Sequence, residues 1–344
     1  MPVTPAYMVD YWIIFISSIK GDLKPMKTNK PRSAAMIKFY RFRELALLLG
    51  LLVMMAAISL ASPYFLIPLN LLNVLRQISV TAIIAIGQTL VLIAGGIDLS
   101  VGSVVSMSGI IAAYALGKGV SPWVALSFGI LSGSLAGLIN GVIITRLKVN
   151  AFIATLGMLS VAQGIALLFS GGMPLTLRGP FQWIGQGKLF GVIPVSAIIM
   201  FAVVILAAVF IKRSVLARQI YAVGGNERAA LVSGIRVENV RTIVYVITGT
   251  LAGIGGIITG TNLAVADPTV ATGLELDVIT AAVIGGASLS GGEGTAWGAL
   301  LGAMIMGVLR NAFVMLHVSG YWQLAVMGAF VIVAVAIDNL SAKK

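Results

Sequence analysis

The sequence predicts an all-α membrane protein with about ten transmembrane helices and both termini in the cytosol. Apolar residues make up 59% of the 344 residues, charged residues only 10%, and the mean hydropathy is +1.04. A soluble domain has about 45–50% apolar and about 25% charged residues. The apolar residues also form runs close to the ~20 residues that cross a bilayer. Such a chain cannot cover a globular surface with its few charges, so it belongs in a membrane.

The basic residues fix the predicted orientation. If ten spans alternate in direction, the cytosolic segments are 1–43, 146–150, 212–241 and 343–344, which together hold 18 of the 23 lysines and arginines. Cytosolic loops of membrane proteins carry such an excess of positive charge. An odd number of spans would place one of these segments on the wrong side, so an even number is favoured.

The chain divides into a tail and a transmembrane domain over 44–340. The ten predicted spans are about 45–62, 69–94, 101–116, 122–146, 151–169, 194–211, 242–258, 276–287, 296–316 and 321–337. The eighth is short and interrupted by glycine. Small-residue runs at 133–137 and 249–256 predict close packing of helices.

Residues 1–43 differ from the rest of the sequence. They carry eight lysines and arginines, and their one apolar run, 11–16, is too short to cross a bilayer. We interpret this segment as a disordered, basic cytosolic tail. Translation starting at Met26 or Met36 instead of Met1 is an equal alternative, under which the first residues are an artefact of the assigned start site.

Several functional classes are excluded. The chain has no cysteine and a single histidine, which excludes disulfides and argues against a metal site. Its net charge of +12 lies at the ends of apolar runs, so it indicates membrane topology and not nucleic-acid binding. The glycine-rich run 291–294 lacks the lysine of a phosphate-binding loop. We therefore expect neither a cofactor nor enzymatic activity in this chain.

The longest polar segment between two apolar runs is 212–241, with six basic residues. Asn226 is a good N-cap and Glu227 suits a first helical turn, which predicts a short helix over 227–232 that Ser233 and Gly234 end. Ala229 and Ala230 are expected on its surface. The helix either rests on lipid headgroups or docks a cytosolic partner. Docking is favoured, because two alanines offer little area to lipid.

Asp98 is the most informative acidic residue, because it lies in a glycine-containing break between two spans. An ionisable residue at membrane depth suggests function, such as a place in a translocation path. The structural alternative is capping, with the carboxylate accepting from the backbone amide of Ser100 or Val101. Capping is favoured, and the two roles are compatible.

The other acidic residues surround the eighth span. Asp267 with Pro268 predicts an extracytoplasmic turn. Asp277 is expected to interact with the helix dipole in a first turn. Glu293, flanked by glycines, is expected to tie a cytosolic-side turn to a partner or to an arginine of the long loop.

Five separated motifs resemble one family. They are GGIDLSVGS at 95–103, NAFIATLG at 150–157, GGNERAALVSGI at 224–235, GLELDVITAA at 273–282 and VIGGASLSGGEGT at 283–295. Together they resemble the permease subunits of bacterial ABC importers for monosaccharides of the ribose, xylose, arabinose and galactose group. The resemblance covers about 45–340, in order and with similar spacing, and leaves out the first 40 residues.

The resemblance implies a ten-helix ABC importer-type permease of the bacterial cytoplasmic membrane, with a coupling loop after the sixth span. It implies a homodimer, a cytosolic ATPase subunit that binds the ATP, and an extracytoplasmic sugar-binding protein. The residues that it assigns to coupling are Gly224, Gly225, Asn226, Glu227, Arg228, Ala229, Ala230 and Gly234. The candidates for a translocation path or helix break are Asp98, Ser100, Gly102, Asn262, Asp267 and Glu293.

The expected function is import of a monosaccharide, with a pentose favoured. One alternative is an ABC permease for nucleosides or amino acids. Another is a secondary transporter driven by an ion gradient, which would require paired carboxylates or basic partners within the membrane.

Overall fold

The computed structural model describes residues 32–342. Residues 32–42 belong to a separate unit from the compact one that begins at Arg43. The helices are α1 (Arg32–Ala61), α2 (Pro68–Ile93), α3 (Val101–Gly117), α4 (Pro122–Thr145), α5 (Ala151–Ser170), α6 (Trp183–Gln186), α7 (Val195–Arg213), α8 (Val215–Gly225), α9 (Glu227–Val232), α10 (Val237–Leu263), α11 (Leu274–Ile284), α12 (Ala296–Met315) and α13 (Gly320–Ala342). The short strands are β1 (Leu175–Thr176), β2 (Lys188–Leu189), β3 (Ile193–Pro194) and β4 (Val265–Ala266).

Seven helices in the described range are long and apolar enough to cross a membrane, namely α1 from Arg43, α2, α4, α5, α7, α10 and α12. Two further apolar helices, α3 and the first part of α13, are shorter. With its 11 residues, α11 is about half a span. The predicted short eighth span is confirmed as a helix, and the total of ten spans stays a prediction.

The tail prediction is partly wrong. The first helix begins at Arg32, so residues 32–43 are helical where a disordered segment was expected. They include alanines, lysine and arginines, which favour helices, and no proline follows Pro31 until the helix has ended. Residues 1–31 of the predicted tail lie outside the described residues.

The seventh predicted span is too short at both ends. It was placed over 242–258, whereas α10 runs from Val237 to Leu263. Its first turn is amphipathic: Val237 and Val240 are buried, and Glu238 and Asn239 between them are exposed. The exposed polar residues lower the mean hydropathy of this turn, so the predicted span begins after it. Its apolar face nevertheless packs as well as any other part of the helix.

Close packing of α4 against α10 is confirmed. A methyl group on Gly133 would overlap the Gly249 carbonyl oxygen and lie 3.0 Å from Gly253 Cα. The predicted small-residue runs therefore face each other. Lipid gives apolar helices no solvent-driven reason to associate, so this close backbone approach is a main source of helix contact.

Two small two-stranded antiparallel sheets lie at the end of α7 and α10 that is remote from α9, and the one formed by β2 and β3 is a hairpin. Leu175 pairs with Ala266 and joins β1 to β4, while Leu189 pairs with Ile193 and joins β2 to β3. The strand pairs order the polar connection that precedes α7. They leave Phe190 exposed at the tip between β2 and β3.

Candidate coupling surface and helix break

Two side-chain caps shape the predicted coupling loop into helices. The Ser214 hydroxyl accepts from the backbone amide two residues further on at 3.1 Å and begins α8. The Asn226 side-chain oxygen accepts from the Ala229 amide at 3.0 Å and begins α9. Gly234, with a φ of 80°, follows its end in the left-handed conformation. The predicted helix over 227–232 and its N-cap are confirmed.

One of the two alanines of α9 was placed wrongly. Ala229 is exposed as predicted, but Ala230 is 3% exposed and belongs to an apolar cluster with Val223 of α8 and Val237 and Val240 of α10. The short helix lies against both neighbours, so one of its faces is buried. Ala230 therefore holds α9 in place, and its side chain is not available to a partner.

The outer face of α9 carries apolar residues that sequence reasoning missed. Val232 is 90% exposed and Leu231 is 54% exposed, beside the exposed side chains of Glu227 and Arg228. Adjacent exposed apolar residues on an ordered element are typical of contact surfaces. Their position at the end of a capped six-residue helix was visible in the sequence.

An ion pair connects α9 to the break after α2. Arg241 Nη2 on α10 donates to Glu227 Oε2 at 2.8 Å. Through its Nε atom, Arg241 also donates to the Ala94 carbonyl oxygen at 3.3 Å. One guanidinium thus holds the first turn of α9 and the first residue of the break.

Gly224 forms a second connection. The Gly292 amide donates to the Ile93 carbonyl oxygen at 2.9 Å, which joins the loop before α12 to the end of α2. A methyl group on Gly224 would overlap that same carbonyl oxygen and lie 2.8 Å from Gly292 N. The Tyr221 hydroxyl donates to the Gly294 carbonyl oxygen close by. The end of α8 therefore lies between the end of α2 and the glycine-rich segment before α12.

Asp98 is buried in the break and accepts from the Ser100 amide as predicted, but Ser100 is itself the N-cap of α3, so Asp98 shapes the turn before the helix and is not its cap. Its Oδ1 accepts from the Ser100 amide at 2.9 Å and the Ser100 hydroxyl at 2.6 Å. Asn140 of α4 donates to the same hydroxyl at 3.0 Å. The Gln88 side-chain amide faces the Asp98 peptide and can pair with its N–H and C=O. These hydrogen bonds fix the backbone conformation of the break and the position at which α3 begins.

The other candidates lie apart from one another. Glu293 is exposed within the loop whose residues Gly291 and Gly292 contact Gly224. Gly102 lies in α3 against the first turn of α11. Asp267 closes the predicted turn by accepting from its Thr269 neighbour's amide at 2.7 Å. Together with Asn262, it lies at the end remote from α9. The six candidates do not form one site.

A charged pair within the bundle was also missed. Arg310 of α12 donates to Asp277 of α11 at 2.5 Å. The prediction placed Asp277 in a first turn, which is confirmed, without recognising a partner. Both residues line a cavity that Arg76 of α2 also reaches.

A family model described as "Branched-chain amino acid transport system / permease component" matches residues 70–335. The chain belongs to this permease family. The match takes in the break with Asp98, the predicted coupling loop and the glycine-rich segment before α12. The protein is accordingly a multi-pass permease of the cytoplasmic membrane.

Individual relatives cover nearly the whole permease. It is 41% identical over 300 residues to the ribose import permease protein RbsC of Bacillus subtilis, covering 86% of this chain and 93% of that one. It is 42% identical over 297 residues to RbsC of Escherichia coli K12, covering 85% and 92%. It is 35% identical over 290 residues to the L-arabinose ABC transporter permease protein AraH of Azospirillum brasilense, covering 84% and 85%.

Proposed function

We propose that this permease is the membrane-spanning subunit of an ATP-driven importer for a monosaccharide, with a pentose as substrate. The observation that carries the proposal is the identity of 41% and 42% to two ribose import permeases over almost their full length. The L-arabinose relative supports the same chemical class. Pentoses share a size and a set of neighbouring hydroxyl groups.

The assembly proposed is a homodimer with cytosolic ATPase subunits, which bind the ATP, and an extracytoplasmic sugar-binding protein. Each copy would have ten spans and both termini in the cytosol. The outer face of α9 supports an ATPase contact, because exposed Val232 and Leu231 stand beside charged Glu227 and Arg228. A short helix with an apolar tip and a polar rim is suited to a groove on another protein.

The contacts beneath α9 provide a route for coupling. A displacement of α9 by the ATPase would act on Arg241 through Glu227, and Arg241 holds the Ala94 carbonyl oxygen. The same displacement would act through Gly224 on Ile93 and Gly292. Both routes end at breaks between helices, where rigid segments can move relative to each other. Alternating access would follow from repacking of those segments.

Uptake with a substrate panel tests the substrate class. Membrane vesicles that contain the permease with its ATPase and binding protein are given labelled D-ribose, D-xylose, L-arabinose, uridine and L-leucine. We expect saturable, ATP-dependent uptake of at least one pentose and background uptake of the others. Uptake of only uridine or leucine would contradict the proposal. Leucine is included because the family description names branched-chain amino acids.

An ion-coupled mechanism is the second candidate, and one observation favours it. Asp277 and Arg310 form the kind of intramembrane pair that secondary transporters use for coupling. In that case, uptake would stop when an uncoupler collapses the ion gradient and would not require ATP hydrolysis.

A further inference from the structure

A cavity lined by both apolar and polar side chains lies at the end of the bundle remote from α9, among α2, α10, α11, α12 and α13. Its volume is about 270 Å³, slightly below the roughly 300–1,000 Å³ of pockets for drug-sized ligands. A small polar molecule suits that volume. The polar side chains that line it and carry the inference are Arg76, Thr81, Asn262, Thr272, Asp277 and Arg310.

The charged residues of this cavity lie inside the predicted spans. Arg76 is about 12 Å along α2 from its first residue, and Arg310 is about 8 Å from the last residue of α12, at 1.5 Å per residue. Charged side chains at such positions are costly and are typically found where a bundle has a function. Arg76 Nε is also buried without a hydrogen-bond partner among the described residues.

The ion pair leaves donors and acceptors for a ligand. Asp277 is 10% exposed and Arg310 is 52% exposed, so the guanidinium faces the cavity. The 2.5 Å contact uses one guanidinium nitrogen and one carboxylate oxygen. A guanidinium has five N–H donors and a carboxylate accepts at two oxygens. Most of this hydrogen-bonding capacity remains after the pair has formed.

The pairing favours a neutral polyol over an amino acid. A zwitterion would have to separate Asp277 from Arg310 before binding its ammonium and carboxylate groups to them. Neighbouring hydroxyl groups instead donate to the free carboxylate oxygen and accept from the free guanidinium N–H groups while the pair stays intact. Arg76, Asn262 and Thr81 add further donors and acceptors for a second edge of the same molecule.

We infer that this cavity is a monosaccharide-binding site within each permease subunit, with Asp277 and Arg310 as its central contacts. The inference rests on the proposed function for the class of sugar. Among the described residues, the lining contains no aromatic side chain, so that part of the site lacks the ring face that contributes much of the contact area in tight sites. Weak binding suits a transport path, where the substrate must leave as readily as it enters.

The chain has no cysteine, which permits a direct test. Thr272 lines the cavity and is exposed, so the purified full-length Thr272→Cys variant in lipid nanodiscs can be labelled with a small maleimide. Labelling rates are measured with D-ribose, D-xylose, L-arabinose, uridine or L-leucine present. A pentose at twice its dissociation constant should slow labelling by about threefold, because the free fraction is 1/(1 + [L]/Kd). Ser121→Cys, exposed in the loop before α4, is the matched control and should show no protection.

Three further variants separate a binding role from a structural one. Asp277→Asn and Arg310→Gln in the Thr272→Cys background should remove the protection. The charge-swapped variant, Asp277→Arg with Arg310→Asp, restores the pair and hence the fold. It should nevertheless bind sugar more weakly, because the donors and acceptors have exchanged places. Full protection in the swapped variant would assign the pair to folding alone and overturn the inference.

The outcomes distinguish this inference from the proposed function. Protection by a pentose supports both. Sugar uptake by the complete importer without protection of Thr272→Cys overturns the cavity site and leaves the proposed function standing. Protection by leucine or uridine alone overturns the sugar assignment at both levels.

Discussion

Glu227 of α9 and Arg241 of α10 form a 2.8 Å ion pair, and the same guanidinium donates to the carbonyl oxygen that begins the break after α2. The helix proposed to contact the ATPase is therefore connected by one side chain to a discontinuity between two spans. Gly224 also packs closely against the Ile93 carbonyl oxygen. These two contacts explain how a six-residue surface helix could influence packing within the membrane.

Glu227→Gln should reduce transport per ATP hydrolysed while changing stability little. A partly exposed ion pair contributes about 0–1 kcal/mol, so thermal unfolding in detergent should hardly shift. Loss of the charge loosens the link between α9 and Arg241, which should lower uptake relative to hydrolysis. The control is Glu238→Gln, which removes an exposed ion pair with Lys148 that does not include Arg241. Equal effects of the two variants would count against the link.

Val232→Asp should prevent the ATPase subunit from co-purifying and leave the permease folded. The substitution places a charge at the most exposed apolar position of α9, where a partner groove would have to desolvate it. Val215→Asp on α8, at a valine that is 61% exposed, is the control and should retain the ATPase. Normal recovery of the ATPase with Val232→Asp would remove α9 from the proposed interface.

Ala230→Glu should act by a different route. Ala230 is buried between α8 and α10. A buried, unpaired carboxylate at this position would break the packing of α9 against α8 and α10 and destabilise the loop. Limited proteolysis should then cut within 224–236 in the variant and not in the parent. Ala229→Glu, which is exposed, should leave the proteolytic pattern unchanged. Resistance of Ala230→Glu to cleavage would show that the packed position between α8 and α10 tolerates the charge.

Gly224→Ala should destabilise the permease by about 1–3 kcal/mol, the usual cost of overpacking. The added methyl group would overlap the Ile93 carbonyl oxygen. Gly225→Ala is a matched control, because among the described residues no atom outside its own chain neighbours and helix backbone lies within 4 Å of its added Cβ. Thermal unfolding of both variants measures the difference in stability. Identical unfolding midpoints would be incompatible with close packing of Gly224 against Ile93.

Asp98→Asn should keep the fold, because the amide oxygen can still accept from the Ser100 amide. Asp98→Ala removes that acceptor and should cost about 1–3 kcal/mol for the unsatisfied buried group. Thermal unfolding distinguishes these two results. If Asp98→Asn is as stable as the parent but loses substrate-stimulated ATP hydrolysis, the carboxylate has a role in the path beyond folding the break.

Much of the architecture could be predicted from local signals. Asn226 and Gly234 mark the limits of α9 because capping and left-handed glycine depend on a few neighbouring residues. The break between Ile93 and Val101 was visible because glycine and Asp98 interrupt an apolar run. The five sequence motifs are enough to indicate the family, because each is a short local pattern that does not depend on tertiary contacts.

Features that depend on tertiary contacts could not be predicted in this way. Ala230 is buried only because α8 and α10 both pack against α9. Asp277 and Arg310 lie 33 residues apart, and their pairing depends on how α11 and α12 rotate about their axes. The first turn of α10 carries charges, and only its packing shows that Val237 belongs to the helix.

Energised uptake tests the central claim most directly. Vesicles with the permease, its ATPase and its binding protein are supplied with labelled D-ribose, an uncoupler, and either ATP or a non-hydrolysable analogue. The account predicts ribose accumulation with ATP despite the uncoupler and none with the analogue. Accumulation that the uncoupler abolishes, or that continues without ATP hydrolysis, would contradict it.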